Sequence, residues 1–186
     1  MKLRNKLEKL NFMIADDNAF MRTTIRHILE SFGVQRIKEA PDSADALKII
    51  KDWSPDIMLM EWDMTPLNGA EVARMVRSSP SATHRFIPII MLTAYSEQWR
   101  IAEARDAGVT EYLVKPVSAN TVLSHIRATI EQPRPFVKSE DYFGPDRRRH
   151  LREYEHECDR RTAAPTVVPY RGILSQSFLQ HDSSMR

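Results

Sequence analysis

Between Asn11 and Ile130 short, unbroken apolar runs alternate with amphipathic stretches. The runs are Phe12-Met13-Ile14-Ala15, Ile57-Met58-Leu59-Met60, Ile87-Pro88-Ile89-Ile90-Met91-Leu92 and Tyr112-Leu113-Val114, with a weaker one around Val34 to Ile37. Apolar runs this short, with no polar alternation, predict strands buried on both faces. The stretches between them carry helical spacing. Phe20, Ile25, Ile28, Leu29 and Phe32 fall near one face and close at Gly33, a C-terminal helix signal. Ala44, Leu47 and Ile50, with Lys51, mark a second helix stopped by Ser54-Pro55, and Val72, Met75 and Val76 a third that runs out at Ser78-Ser79-Pro80. Two more, over 97–107 and 118–130, end at Gly108 and before Pro133. Five strands, each followed by a helix, require right-handed crossovers, so the predicted fold is α/β: a doubly wound five-stranded parallel sheet. In such sheets ligands sit outside the carboxyl ends of the strands.

The boundaries follow from the same pattern. Residues 1–10 form a lead-in, 11–131 the folded domain, and 132–186 a polar extension containing proline and arginine. That extension has few periodic apolar positions and is expected to be largely irregular, with at most a helix around 150–160. Composition narrows the function classes. At 42% hydrophobic and 28% charged the chain is an ordinary globular one, and a net charge of +2 supplies no field for nucleic acid or membrane. No helix-turn-helix pattern is present, so no DNA-binding domain is expected. The single cysteine excludes an internal disulfide framework and suits a reducing compartment. MKLRNKLEKL lacks a secretory apolar core, and no run approaches the ~18 apolar residues needed to cross a bilayer. A soluble cytoplasmic protein, with no membrane partner, is the expectation.

Polar residues stand at four strand ends: Asp16-Asp17 after the first, Glu61 and Asp63 after the third, Thr93 after the fourth, Lys115-Pro116 after the fifth. Paired carboxylates suit a hard divalent cation such as Mg²⁺, and a hydroxyl and an ammonium opposite them would stabilise a phosphoryl group. Any one of these alone is better read as a solvated loop residue. Their coincidence at neighbouring strand ends argues for a pocket. A flavodoxin-like enzyme is disfavoured, because Asp16-Asp17-Asn18 stands where a glycine-rich phosphate loop would follow the first strand.

Asp16-Asp17, the segment 56–69, Leu92-Thr93-Ala94 and Tyr112-Leu113-Val114-Lys115-Pro116 resemble the signature of two-component response-regulator receiver domains, over roughly residues 11–130. The resemblance implies a flavodoxin-like receiver fold and a phosphorelay role in bacterial signalling. It makes Asp16 and Asp17 metal-binding acids, joined by the acceptor-position carboxylate and the Asp63 backbone carbonyl, with Mg²⁺ as the ion. Thr93 becomes the hydroxyl that follows the phosphoryl group, Lys115 its positive partner, and the Lys115–Pro116 bond is expected to be cis. Tyr112 resembles the aromatic switch of the family, though a static tyrosine at the core edge fits as well. The implied partners are a histidine kinase or phosphotransfer protein and an unknown output protein. The output protein, or a second copy forming a homodimer, would meet the face of the fourth helix, fifth strand and fifth helix of the strand–helix repeat. Action by binding, and not as an enzyme, follows from the same resemblance.

The family's acceptor is an aspartate, and counting from Asp56 that position is Glu61. Glutamate is one methylene longer, a displacement of up to ~1.5 Å, and misplacement on that scale costs on the order of 10²-fold in a positioned reaction. Three chemistries follow. Glu61 is a permanent phosphate mimic or non-phosphorylated acid; Asp63, on the same side by the period of two, is the acceptor; or Glu61 is itself phosphorylated slowly. The first is favoured. Met64-Thr65-Pro66 also sets proline one place later than the family's Met-Pro dipeptide. In the extension, Tyr142-Phe143-Gly144-Pro145-Asp146 leads into Arg147, Arg148 and Arg149, with Arg152 beyond. These arginines could grip a phosphate-rich ligand, and their spacing has a weak resemblance to the start of cyclic di-GMP-binding PilZ domains. The alternative function is therefore a nucleotide-binding adaptor, against which a solvated basic cluster is the plainer reading. His150, His156 and Cys158 match no zinc spacing and are read as surface residues.

Overall fold

A computed structural model of the chain describes residues 2–81, 83–147 and 166–168. Its elements are α1 (Lys2–Leu7), β1 (Asn11–Ala15), α2 (Ala19–Ser31), β2 (Arg36–Ala40), α3 (Ser43–Trp53), β3 (Ile57–Met60), α4 (Gly69–Arg77), β4 (Ile89–Thr93), α5 (Gln98–Asp106), β5 (Glu111–Val114), α6 (Ala119–Glu131), β6 (Phe136–Lys138), β7 (Phe143–Pro145) and β8 (Thr166–Val168). A 3₁₀ turn, His84–Phe86, precedes β4. The first five strands form one parallel sheet in the order β2-β1-β3-β4-β5, the doubly wound arrangement expected from the sequence.

The apolar runs lack alternation because each central strand feeds two cores. Phe12, Ile14, Ile57, Leu59, Ile90 and Leu92 point to the side covered by α1, α2 and α6. Met13, Met58, Met60, Ile89 and Met91 point to the side covered by α3, α4 and α5. Burial on both faces fails at the two edges. In β2 exposed and part-buried residues alternate, and in β5 Leu113 alone is buried, since an edge strand lies where the helical layers thin out. Helix starts are fixed locally. The Asn18 side chain accepts from the N–H groups of Phe20 and Met21, Asp42 from Asp45, and Ser118 from Thr121. Asn68 and Glu71 form a reciprocal capping box on α4.

Three expectations need amending. The lead-in is a helical turn that buries Leu7 and Leu10 in the core. Phe20 does not join the buried face of α2, where Ile25 and Leu29 lie; it is 76% exposed. The extension, expected to be irregular from 132, carries ordered structure, with β6 pairing antiparallel to β7 and to β8. Phe136, Val137 and Tyr142 are buried. Phe136 and Phe143 meet Phe86 edge-on, at 4.9 and 5.4 Å between ring centroids. The Arg85 guanidinium lies 3.6 Å above Phe143. Arg77, 4% exposed, donates to the carbonyls of Gly108, Arg85 and Ile87 at 2.9, 3.0 and 2.7 Å beside the Phe136 ring. The Tyr142-Phe143-Gly144-Pro145 sequence closes this hairpin: the Tyr142 hydroxyl donates to Pro145 O at 2.7 Å, and a Cβ on Gly144 would stand 2.6 Å from that hydroxyl oxygen. The hairpin therefore caps the amino ends of β4 and β5. Any helix around 150–160 lies outside the described residues.

Replacing Phe136 with alanine removes a ring from the Phe86–Phe136–Phe143 cluster. It should cost about 3 kcal/mol of stability, read as a shift in the urea midpoint, whereas an undocked tail position would change it by less than ~0.5 kcal/mol.

Candidate functional site

Backbone register builds the site. The amide of Asp16 donates to Ala40 O at 3.2 Å, that of Glu61 to Ala15 O at 2.8 Å, and that of Lys115 to Thr93 O at 2.7 Å. Each residue is thus the first beyond its strand, held by the neighbouring strand. Three side chains meet there: Lys115 Nζ lies 2.9 Å from Asp16 Oδ2 and 2.6 Å from Glu61 Oε2. Both carboxylates are buried, Asp16 at 5% and Glu61 at 7% exposed. Their remaining oxygens are also engaged. Asp16 Oδ1 accepts from Asn18 N at 2.9 Å, and Glu61 Oε1 from Trp62 N at 2.6 Å and Asp63 N at 3.4 Å. Gly69 lets the loop after β3 fold this tightly, because a Cβ there would stand 2.5 Å from Glu61 O, and its amide donates to Trp62 O at 2.7 Å.

Thr93 is fully buried, and its hydroxyl accepts from Tyr95 N at 3.3 Å. Tyr112 is half-buried and donates to Tyr95 O at 2.9 Å. Burial pushes its phenol up to about 12, aided by the negative charges of Glu61 and Glu97 and opposed by Arg100. Burial works against the Lys115 ammonium, but the bonds to Asp16 and Glu61 outweigh it and hold its pKa above the ordinary lysine value. The Lys115–Pro116 bond is cis, as the resemblance implied, and so is Thr65–Pro66.

Asp17 and Asp63 do not join the carboxylate pair. Asp17 is exposed, and the Asp63 carboxylate accepts a short hydrogen bond from the Tyr95 hydroxyl, which lifts the tyrosine's pKa. The period of two that set Asp63 beside Glu61 does not apply, because β3 ends at Met60. Arg147, of the four arginines proposed for a nucleotide, forms an ion pair with Asp106 and stacks on Tyr142. Arg148, Arg149 and Arg152 lie outside the described residues, as do His150, His156 and Cys158.

The chain matches the response regulator receiver domain over residues 12–127. It belongs to that family. The relatives are similar in length to the matched part. The chain is 29% identical to the Vibrio cholerae chemotaxis protein CheY-3 over 125 residues, covering 67% of this chain and 95% of the relative. To the chemotaxis protein CheY of Pseudomonas aeruginosa it is 31% identical over 123 residues, covering 66% and 98%. The solved structure of V. cholerae CheY4 superimposes with a TM-score of 0.59 at 26% identity, over 63% of this chain and 96% of that one. A receiver domain of a Syntrophus aciditrophicus histidine kinase gives a TM-score of 0.60 over 66% and 90%; at 22% identity it shows the fold alone. The chain is therefore a two-component response regulator, in a family that signals and is generally not enzymatic. The hairpin at 136–145 lies beyond the matched region.

Receiver domains generally bind Mg²⁺ at the phosphorylation site. Of the expected ligands, the carboxylates of Asp16 and Glu61 meet at Lys115, the Asp17 side chain is exposed, and Asp63 was expected to offer its backbone carbonyl. Among the described residues no three acidic, histidine or cysteine side chains are grouped so that they could hold a metal. The Lys115 ammonium stands between Asp16 and Glu61, the Asp63 carboxylate bonds to Tyr95 while its backbone carbonyl is the ligand the resemblance implied, and Asp17 faces solvent. The two buried carboxylates, as paired with Lys115, each give one oxygen to the ammonium rather than to an ion.

Sequence reasoning missed several supporting residues. Arg22 donates to the Asp16 and Asp17 carbonyls at 2.7 and 3.2 Å while pairing with Glu39 on β2. Arg100 lies 3.7 Å over Tyr95, 4.6 Å from Trp99 and 5.6 Å from Trp62. The clustering of Trp62, Tyr95, Trp99 and Arg100 near the predicted pocket residues was the only signal available in the sequence.

Lys115→Met should leave two buried carboxylates without their cation and cost about 3 kcal/mol, the lower end of the range for breaking a buried pair because Lys115 keeps some solvent. Because the folded-state pKa of Lys115 is raised, its stabilisation is complete below the ordinary lysine value of about 10.4 and is lost as pH rises through the folded value. Urea midpoints of wild type and variant should differ constantly through neutral pH and converge only in strong alkali.

Proposed function

We propose that this receiver signals by binding a protein partner without depending on phosphorylation, with Glu61 a permanent negative charge where the family's aspartate stands. The observation that carries this reading is that both oxygens of the Glu61 carboxylate are held, one by Lys115 Nζ and the other by the backbone amide of Trp62. A nucleophile needs a free lone pair aimed at the incoming phosphorus. The Lys115 ammonium, which in the family faces a phosphoryl group, is here satisfied by Glu61 itself. Asp63 is poorly suited as a replacement acceptor, since its carboxylate bonds to Tyr95 while Lys115 pairs with Asp16 and Glu61.

The partner face we assign is formed by α5, β5 and α6, where Trp99, Ile101 and Val114 are exposed beside Tyr112 and Arg100. Tyr112 and Thr93 would carry the state of the pocket to it, a shift between two populations biased by the charge on residue 61. A histidine kinase or phosphotransfer protein is the upstream partner implied by the family, and the output partner is a protein that reads this face.

Intact-mass spectrometry after incubation with acetyl phosphate and Mg²⁺ tests the reading. Wild type should stay unmodified, and Glu61→Asp, whose shorter side chain withdraws from Lys115, should gain one phosphoryl group. A wild-type adduct that disappears in Asp63→Asn would overturn the proposal and make Asp63 the acceptor.

A further inference from the structure

The helix that carries the partner face is the one least fixed by the core. Ala104 is the only buried residue of α5, against six in α4, and the sheet face beneath is lined by Met58, Met60 and Met91, whose unbranched side chains adapt to small shifts. Along its length α5 is otherwise tied by one exposed ion pair, Arg74 to Glu103 at 2.9 Å, so its firmer holds are at its ends. At its amino end, Arg100 lies over Tyr95, Trp99 and Trp62, and Tyr95 in turn bonds to Asp63 and accepts from Tyr112. At its carboxyl end, Asp106 is held by Arg147, and Gly108 abuts Gly144 so closely that a Cβ on the latter would stand 3.1 Å from the Gly108 Cα. Arg134 donates to Thr110 O, and the buried Arg77 ties Gly108 to the 3₁₀ turn that Phe136 and Phe143 cover. Arg134, Phe136, Phe143, Gly144 and Arg147 all belong to the segment 134–147, which lies at the opposite end of the sheet from Glu61 and beyond the region matched by the family.

We propose that the 134–147 hairpin is a strap that sets the position of α5, and that α5 is the lever through which the state of the extension and the state of the pocket are coupled. A short helix gripped at both ends and weakly held along its length moves as a body, so loosening one grip changes the other. Nine residues span about 12 Å between first and last Cα, so a change at the far end cannot arise from direct contact. The coupling is reciprocal by thermodynamic necessity. It does not depend on whether Glu61 is phosphorylated, so the phosphorylation experiment and this one succeed or fail separately.

Amide hydrogen exchange on the full chain, resolved along 98–110 and 134–147, tests the strap. Arg147→Gln removes a surface ion pair and the guanidinium stacked on Tyr142 and leaves the buried core untouched. It should raise exchange in the last turn of α5 and also at Arg100 and Ile101, whose amides bond to Glu97 O, by roughly two- to five-fold. Gly144→Ala, whose Cβ would meet the Tyr142 hydroxyl at 2.6 Å and crowd the Gly108 Cα at 3.1 Å, should give a larger increase over the same amides. In the other direction, Arg100→Gln should raise exchange at Ser139 and Asp146, whose amides close the hairpin on Tyr142 O and Pro135 O. Changes confined to 103–110 in Arg147→Gln, or no response of Ser139 and Asp146 to Arg100→Gln, would overturn the proposal; should Gly144→Ala not fold, the two milder variants decide alone.

Discussion

The Lys115 ammonium between Asp16 and Glu61 is the interaction on which the carboxyl end of the sheet depends. It draws together residues that follow β1, β3 and β5, reaching across β4 from the sheet edge. A buried charge without a partner is costly, and one ammonium here partners two buried carboxylates. The remaining carboxylate oxygens are taken by backbone amides, leaving the cluster with few unmet bonds. A single positive charge supplied by the chain thus joins residues from three strand ends.

One methylene accounts for much of this. An aspartate after β3 would end shorter of Lys115; Glu61 extends far enough to meet the ammonium at 2.6 Å and to fold back onto the amide of Trp62. Around the cluster, polar contacts run outward through Thr93, Tyr95 and Tyr112 to the aromatic seat of Arg100 on α5. That helix buries little, as expected of an element from which signalling movement is drawn, since cooperative openings favour regions with few buried apolar contacts.

The fold was legible because the central strands announce themselves: short apolar runs can satisfy two cores at once, and those of β1 and β3 are followed by helices with their own capping residues. The positions of Asp16, Glu61, Thr93 and Lys115 were legible for the same reason, because a residue that ends a buried parallel strand has its place fixed by the register of its neighbours. The hairpin at 136–145 was not. Strands of three residues have no readable period, and their apolar partners, Phe86 and the stem of Arg77, lie some fifty residues earlier. The Tyr142–Arg147 run looked like a grip for a phosphate-rich ligand because arginines beside aromatic rings serve either purpose; in the fold Arg147 stacks on Tyr142 and pairs with Asp106.

By itself the sequence determined the topology of the sheet, the ends at which chemistry is placed and the substitution of glutamate for the acceptor aspartate, since these depend on local pattern and chain order. Tertiary structure alone decided how the charges pair. Four acids stand near the pocket in sequence, yet only Asp16 and Glu61 share Lys115, while Asp63 turns to Tyr95 and Asp17 to solvent. Sequence counts charges, but their partners are chosen by distance and burial, which exist only once the strands, the tight loop at Gly69 and the docked extension are in place.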